Sequence, residues 1–126
     1  MTDTDTTAPD TETIVEAYFD LWRTTDPAER ADLVARVFTP DGRHVDQHAD
    51  ANGHDGLVEM IAGVHEGFPG FQMARTSGID RFGDQLRFAW SLEAADGSPI
   101  VAGLDVAEVS ADGRLQRVTG FWGDLS

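Results

Sequence analysis

The sequence predicts an α+β fold in which three helices pack on one face of a curved, mainly antiparallel sheet. Apolar residues recur at helical spacing in three segments of the first half, whereas residues 71–122 have strand-like segments separated by turn residues. Two of those turns contain Asp-Gly, the strongest short hairpin signal, at Asp96-Gly97 and Asp112-Gly113. A chain of 126 residues suits one domain with one core.

The first helix is expected over residues 11–24, where apolar side chains form one stripe. That stripe consists of Ile14, Val15, Tyr18, Leu21 and Trp22. Residues 1–10 are rich in Thr and Asp, with no basic start and no apolar core. We therefore expect a disordered tail rather than a signal peptide, followed by a single domain over residues 11–126.

The second helix has the clearest start. The segment Asp26-Pro27-Ala28-Glu29 combines a capping Asp, a Pro at the first helical position and a Glu at the third. Its apolar stripe consists of Leu33, Val34, Val37 and Phe38. The segment Thr39-Pro40-Asp41-Gly42 is expected to end this helix with a turn.

A short strand, a third helix and the meander complete the prediction. The strand is expected over residues 43–47, and a loop follows over residues 49–53. The third helix is expected over residues 54–66, with His54 and His65 on its surface. The meander strands are predicted over residues 71–76, 84–95, 99–109 and 114–122.

Composition excludes several classes of function. Nine Arg, no Lys and 23 acidic residues give a net charge of −14, which disfavours binding to nucleic acid and to anionic membranes. The absence of Lys excludes Schiff-base catalysis, and the absence of Cys excludes disulfides and thiolate chemistry. No apolar run approaches the roughly 20 residues of a membrane span. These features fit a cytoplasmic protein.

Asp105 lies in a segment that otherwise has the pattern of a buried strand, and burial of a lone carboxylate is costly. If both Asp-Gly pairs form two-residue turns, Phe88 lies opposite Asp105, and Asp105 lies opposite Gly120. Asp105 then shares its face of the sheet with no other charged side chain. The candidate pocket-lining residues are Phe88, Trp90, Gly103, Gly120 and Trp122 on that face, and Trp22 on the first helix.

Aromatic surroundings should raise the pKa of Asp105, so we hypothesise that its carboxyl group is protonated near neutral pH and donates a hydrogen bond. Gly103 and Gly120 are expected to leave space for a ligand beside it. The alternative is a structural role, in which Asp105 bonds to a backbone amide or to an Arg. The opposite face of the sheet mixes apolar side chains with Arg87 and Arg117, which suits a subunit interface or a wet surface.

A second polar cluster contains His44, Asp46 and His48, which point to the same side if the segment is a strand. Asp46 can abstract a proton there, with His44 tuning or orienting it. Metal binding is the alternative, but three ligands from one short strand form a poor cage, so no metal is expected. His48 is expected to face water.

The chain resembles the nuclear transport factor 2-like superfamily, whose cone-shaped α+β fold includes ketosteroid isomerases and SnoaL-like polyketide cyclases. The resemblance extends over about residues 11–125, through the order of elements and three short signatures. Val15-x-x-Tyr18 is similar to the first-helix pattern of the isomerases. His44-Val45-Asp46 is similar to their general-base segment. Leu104-Asp105 and the hairpin after it are similar to the strand that carries their protonated aspartate.

The resemblance implies a role for each of these residues. Asp46 would be the general base, while Tyr18 and Asp105 would donate hydrogen bonds to the substrate oxygen. The end of the chain is similar to the aromatic-plus-acid ending of the superfamily, which makes Asp124 a secondary candidate beside His44. The superfamily's habit of dimerising implies a homodimer.

The favoured function is cofactor-free acid–base chemistry on a small apolar carbonyl compound, by isomerase- or cyclase-like proton transfer through an enolate. Gln47 stands where the isomerases have proline, so a steroid substrate is not implied. One alternative is a non-catalytic dimeric module of the same fold that binds a small molecule. Another is a hydrolase or dehydratase in which Asp46 and His44 activate water.

Overall fold

A computed structural model describes residues 10–123 and has the predicted α+β architecture. Three helices, α1 (Thr11–Arg23), α2 (Pro27–Val37) and α3 (Gly53–Gly67), pack on one face of a seven-stranded sheet within these residues. The strands are β1 (Phe38–Val45), β2 (Asp50–Asn52), β3 (Gln72–Arg75), β4 (Asp80–Phe82), β5 (Gln85–Glu93), β6 (Pro99–Val109) and β7 (Leu115–Trp122). Their order is β2-β1-β7-β6-β5-β3, with β4 also on β5. The β1–β7 pair is parallel, and the other pairs are antiparallel.

The first two helices begin where the sequence predicts. The Asp26 carboxylate accepts a hydrogen bond from the Glu29 N–H at 2.9 Å, and Pro27 opens α2. Asp10 caps α1 in the same way, accepting from the Thr13 N–H at 2.8 Å. Asp10 therefore belongs to the helix start, and the rest of the expected tail lies outside the described residues.

The meander has the predicted pairing, although its turns differ from those expected. Phe88 lies opposite Asp105, and Asp105 lies opposite Gly120. Each hairpin closes with a three-residue loop rather than a two-residue turn, as the 2.8 Å bond from the Ala94 N–H to the Ser98 carbonyl indicates. A register shift in each hairpin, such as that between Leu92 and Glu93, offsets the extra loop residue. The two departures cancel, so the predicted faces are correct.

Three short segments differ from the prediction. Residues 39–42 do not form a turn after α2 but lie inside β1, where pairing with β7 is interrupted between Phe38 and Arg43. Pro40 has no N–H to contribute to a ladder, which accounts for turn-like residues in a strand. The expected loop over residues 49–53 contains β2, and β4 was not predicted at all. Strands of three residues carry too little pattern to be found from sequence.

One face of the sheet and the three helices enclose the core. The meander side chains that the sequence placed beside Asp105 alternate as buried residues along β5, β6 and β7. The opposite face is more open, and Phe121 on it is 49% exposed. His54 and His65 are not simple surface residues of α3, because their rings bond to the backbone carbonyls of Phe38 and Trp22 at 3.0 and 2.9 Å. They tie α3 to its neighbours.

Candidate active site

Asp105 lies in the middle of β6 and is buried under α1. The Tyr18 hydroxyl bonds to its Oδ2 atom at 2.8 Å, and the Trp90 indole N–H donates to its Oδ1 atom at 3.0 Å. Gly120 faces it from β7, where a Cβ atom would lie 2.9 Å from Oδ1. The missing side chain at Gly120 thus makes room for the carboxyl group itself, not for a ligand.

Burial raises the pKa of Asp105 because the surrounding apolar side chains disfavour its charged form. The electrostatic influence of His44 and the hydrogen bonds from Tyr18 and Trp90 oppose this rise without reversing it. Burial also raises the pKa of Tyr18 well above its ordinary value of 10.0, and the charge of Asp105 adds to the effect. The pair therefore favours protonated forms, which can donate hydrogen bonds.

The helix α1 positions Tyr18 over the sheet. The Tyr18 ring is 3% exposed and makes edge contacts with the rings of Phe19, Trp22, Phe38 and Phe88. Aromatic rings on every side keep water from the phenol and fix its hydroxyl on the Asp105 carboxyl group.

Asp46 follows the last residue of β1, and its side chain is 5% exposed. Its Oδ1 atom accepts from the His48 backbone N–H at 2.7 Å. Its Oδ2 atom lies 3.0 Å from His44 Nε2 and accepts from the Trp122 indole N–H at 3.2 Å. Burial alone would raise the pKa of Asp46, but these hydrogen bonds together lower it.

Residues from six elements, together with Asp46 just after β1, line a small inner compartment of about 10 Å³, roughly the space of one water-sized atom. These residues are Tyr18, Trp22, His44, Asp46, Met73, Trp90, Asp105 and Trp122. The structure thus brings together the three residues predicted to carry the chemistry, together with His44. Met73, on β3, was not predicted, because an alternating apolar residue on a strand is indistinguishable from any other core residue.

An outer groove of about 680 Å³ adjoins the inner compartment. Trp22, Asp46 and Trp122 line both spaces, so Asp46 also faces the groove, whereas Tyr18, His44 and Asp105 line the inner compartment alone. The far wall of the groove is α3, which contributes Gly56, Glu59, Met60, Gly63 and Val64. Two glycines spaced seven residues apart on one helical face were the available sequence signal for this wall.

Other predicted pocket residues lie elsewhere. Phe88 packs behind Tyr18 at a centroid distance of 5.7 Å and lines neither space. The expectation that Gly103 leaves room for a ligand is wrong, because a Cβ atom there would lie 2.2 Å from the Trp90 ring. The absent side chain accommodates that indole. Asp124 lies outside the described residues.

The strand prediction for residues 43–47 does not align three side chains, since β1 ends at Val45. His48 is exposed as expected, and its ring packs on Trp122 with the centroids 4.8 Å apart.

Among residues 10–123, no group of three or more His, Asp or Glu side chains is arranged to hold a metal ion. No helix in the same range is long and apolar enough to cross a membrane.

Helices packed on one face of a mixed, mainly antiparallel sheet, with polar groups gathered between them, define the nuclear transport factor 2-like class. The model of the SnoaL-like domain matches residues 15–118, and the chain belongs to the SnoaL-like family. No curated protein matches the chain.

Solved structures agree with this assignment. A candidate isomerase of the SnoaL-like family from Agrobacterium tumefaciens str. C58 is 30% identical, with a TM-score of 0.86 over 90% of this chain and 97% of that one. A candidate SnoaL-like polyketide cyclase from Jannaschia sp. CCS1 is 18% identical, with a TM-score of 0.75 over 97% and 91%. An NTF2-like protein from Exiguobacterium sp. 255-15 is 24% identical, with a TM-score of 0.71 over 89% and 99%. The last two support the fold alone.

Proposed function

We propose that this protein is a cofactor-free acid–base enzyme that acts on a small, neutral, apolar carbonyl compound. The observation that carries the proposal is the position of Asp46, which faces the outer groove and lines the inner compartment together with Tyr18 and Asp105. The carbon skeleton of a substrate fits the groove, and the inner compartment has room for one oxygen atom. The candidate isomerase of the SnoaL-like family, which is 30% identical, supports this class of reaction.

The proposed first step is proton transfer from the carbon next to the carbonyl. The C–H bond breaks, an O–H bond forms on Asp46, and the electron pair moves onto the carbonyl oxygen to give an enolate. Tyr18 and protonated Asp105 donate hydrogen bonds to that oxygen as its charge develops. Asp46 then returns the proton to another carbon. Alternatively, the enolate carbon attacks a second carbonyl carbon of the same molecule and closes a ring, while the C=O π bond breaks and its oxygen takes the proton from Asp46.

His44 serves as a positioning residue in this proposal. Its Nε2–H donates to the Oδ2 atom of ionised Asp46, which fixes the carboxylate and leaves the other oxygen to the His48 backbone N–H. Three donors weaken Asp46 as a base, while a bound substrate that displaces water from the groove strengthens it again. Asp124 stays a secondary candidate for a second acid–base role.

Deuterium exchange tests the proposal. The probe is 2-tetralone, a neutral bicyclic ketone with acidic C–H bonds beside its carbonyl, incubated in deuterated water and followed by proton NMR. We expect Asp46→Asn to slow protein-dependent exchange by about 10²–10⁴-fold, as for loss of a general base. The matched control is Asp32→Asn, which removes an exposed carboxylate on α2 away from both spaces. Equal exchange by the wild type and Asp46→Asn contradicts the proposal.

A ligand-binding module without chemistry is the second candidate. It is favoured by the small inner compartment and by the bond between Tyr18 and Asp105, which already satisfies both groups. This candidate predicts that 2-tetralone binds and is recovered with no deuterium beyond the protein-free rate. The exchange experiment therefore separates the two functions directly.

We also propose that the open face of the sheet forms a homodimer interface. Phe121 is 49% exposed and Ile100 is 40% exposed on strands whose other face is the core. Apolar residues exposed to this degree favour burial against a second copy. Light scattering should give twice the monomer mass for the wild type and the monomer mass for Phe121→Glu. A monomeric wild type contradicts this interface.

A further inference from the structure

Two side-chain nitrogens of the inner compartment are buried without a hydrogen-bond partner. Within residues 10–123, the buried side-chain atoms with this property are Trp22 Nε1, His44 Nδ1 and Arg75 Nε. Buried polar groups without partners are costly and uncommon, so the Trp22 N–H, which can only donate, indicates a missing acceptor at this site. Trp22 and His44 are 4% and 3% exposed, with ring centroids 5.9 Å apart.

Trp22 differs from the other two tryptophans of the site. The Trp90 and Trp122 indole N–H groups donate to the carboxylates of Asp105 and Asp46, at 3.0 and 3.2 Å. The Trp22 N–H is close enough to the Tyr18 hydroxyl to favour its ionised form, which lowers the Tyr18 pKa against the larger effect of burial. It does not reach hydrogen-bond geometry with that hydroxyl. The N–H is therefore beside the Tyr18 hydroxyl but unused.

The backbone holds Trp22 in this position. Trp22 lies in the last turn of α1, where carbonyl groups lack helical partners, and its carbonyl oxygen bonds to His65 Nε2 of α3 at 2.9 Å. Because Trp22 lines both the inner compartment and the outer groove, its indole stands where a ligand passes from one to the other. The donor is thus fixed before a ligand arrives, which lowers the entropic cost of binding.

We propose that the Trp22 indole N–H is a specificity-determining donor to a neutral oxygen atom of the ligand. An indole nitrogen donates and cannot accept, so its partner must be an acceptor. The nearby carboxylate of Asp46 disfavours an anionic ligand, which selects a ketone, aldehyde or ester oxygen over a carboxylate. This inference deepens the proposed function and rests on its assumption that a carbonyl oxygen enters the inner compartment.

Indole NMR signals test the inference on the wild-type protein. Each of the three tryptophans gives one indole N–H signal, and Trp22→Phe assigns the signal of Trp22. The probes are 2-tetralone and tetralin, which have the same ring skeleton with and without the carbonyl oxygen. We expect 2-tetralone to move the Trp22 signal downfield, as a new hydrogen bond does, and tetralin to leave it close to its free position.

Binding measurements supply the second test. Trp22→Phe should reduce the ratio of 2-tetralone affinity to tetralin affinity by about fivefold, the usual effect of one hydrogen bond. The ratio cancels lost ring contacts, which weaken both probes alike. The matched control is Val64→Ala on the α3 wall of the groove, which should weaken both probes and leave the ratio unchanged.

Three results would overturn the inference: a Trp22 signal that does not move with bound ketone, one that moves equally with both probes, or a ratio unaffected by Trp22→Phe. Failure of both probes to bind would also count against it, since the groove would then not accept apolar rings. None of these measurements requires turnover. A protein that binds through Trp22 but shows no Asp46-dependent exchange would refute the proposed enzyme and leave this inference intact.

Discussion

The end of β1 and the middle of β6 each carry a carboxyl group of the inner compartment, and the pKa values of the two groups are shifted in opposite directions. The Asp46 side chain is 5% exposed and Asp105 is 4% exposed. Yet the pKa of Asp105 is raised by burial, whereas the hydrogen bonds to Asp46 outweigh burial and lower its pKa. Asp105, which is fully enclosed, is thus suited to an acid, whereas Asp46, which is partly buried and lines the open groove, is suited to a base.

The position along the strand explains this difference. In the middle of β6, backbone N–H groups are used in the pairing with β5 and β7, so Asp105 receives donors from side chains only. Past the end of β1, the chain turns and the His48 N–H is free to donate to Asp46. A strand end therefore offers a carboxylate the backbone donors that a strand centre withholds.

Among the changes that test this difference between the two carboxyl groups, removal of the Asp105 carboxyl group should have the largest effect on deuterium exchange. We expect Asp105→Leu to slow deuterium exchange into 2-tetralone by about 10²–10³-fold, as for loss of an oxyanion donor. Asp105→Asn keeps the shape and an amide donor and should lose much less. Melting temperatures of both variants separate this effect from unfolding. If the two variants lose activity equally, donation by Asp105 is not its role.

The pH dependence of exchange should show both carboxyl groups. Asp46 must be ionised to accept a proton, so its lowered pKa keeps exchange active down to a pH below the ordinary carboxyl value. Asp105 must be protonated to donate, so exchange should fall as pH rises through its raised pKa. Asp105→Asn should remove this upper fall and keep the lower one. An unchanged profile in that variant contradicts the assignment.

The free energy of unfolding should also fall with rising pH because of Asp105. A carboxyl group with a raised folded-state pKa binds a proton more tightly in the folded state. The free energy of unfolding therefore falls as pH rises from the ordinary value of about 3.9 through the raised value. Denaturant titrations at several pH values should show this fall in the wild type, and a smaller one in Asp105→Asn. Parallel curves would mean that Asp105 has the same pKa in both states.

The smallest effect on the two carboxyl groups is expected from Gln47. This exposed residue does not touch Asp46 but holds Trp122, whose indole N–H donates to Asp46. Its amide group exchanges two hydrogen bonds with the Trp122 backbone, at 3.0 and 3.1 Å. Gln47→Ala should lower the free energy of unfolding by about 1 kcal/mol. It should also raise the pKa of Asp46 slightly, because Trp122 then donates to Asp46 less firmly. Carbon-detected NMR titration measures the pKa of Asp46. An unchanged pKa in Gln47→Ala would show that Gln47 does not influence Asp46.

Much of the fold follows from signals that are local in the sequence. The cap at Asp26 and the glycines of the two hairpins each define an element by the chemistry of a few neighbouring residues, whereas the cap at Asp10 was not predicted. Gly97 and Gly113 have φ values of 90° and 87°, the conformation that glycine allows at low cost. The strands β2 and β4 have only three residues each, which is too short for an alternating pattern to identify them, although each pairs with a strand close to it in sequence.

The site was predictable where a residue contradicts its surroundings. Asp105 stands out because a carboxyl group in an apolar strand needs an explanation, and its partners on β5 and β7 follow from counting residues. Gly103 and Gly120 were misinterpreted, since a missing side chain does not reveal whether a ligand or a neighbouring residue fills the space. The unpartnered Trp22 N–H was invisible, because an indole on an apolar helix stripe resembles any core residue.

The parallel pairing of β1 with β7 has a consequence for the order of events in folding. His44 pairs with Val118, so strands far apart in the chain become neighbours. During synthesis, Asp46 leaves the ribosome long before Trp122, and nascent chains lack the indole that donates to it. Contacts between such distant residues form slowly. The contact between Trp122 and Asp46 should therefore appear in the last phase of refolding, after the helices and the meander hairpins.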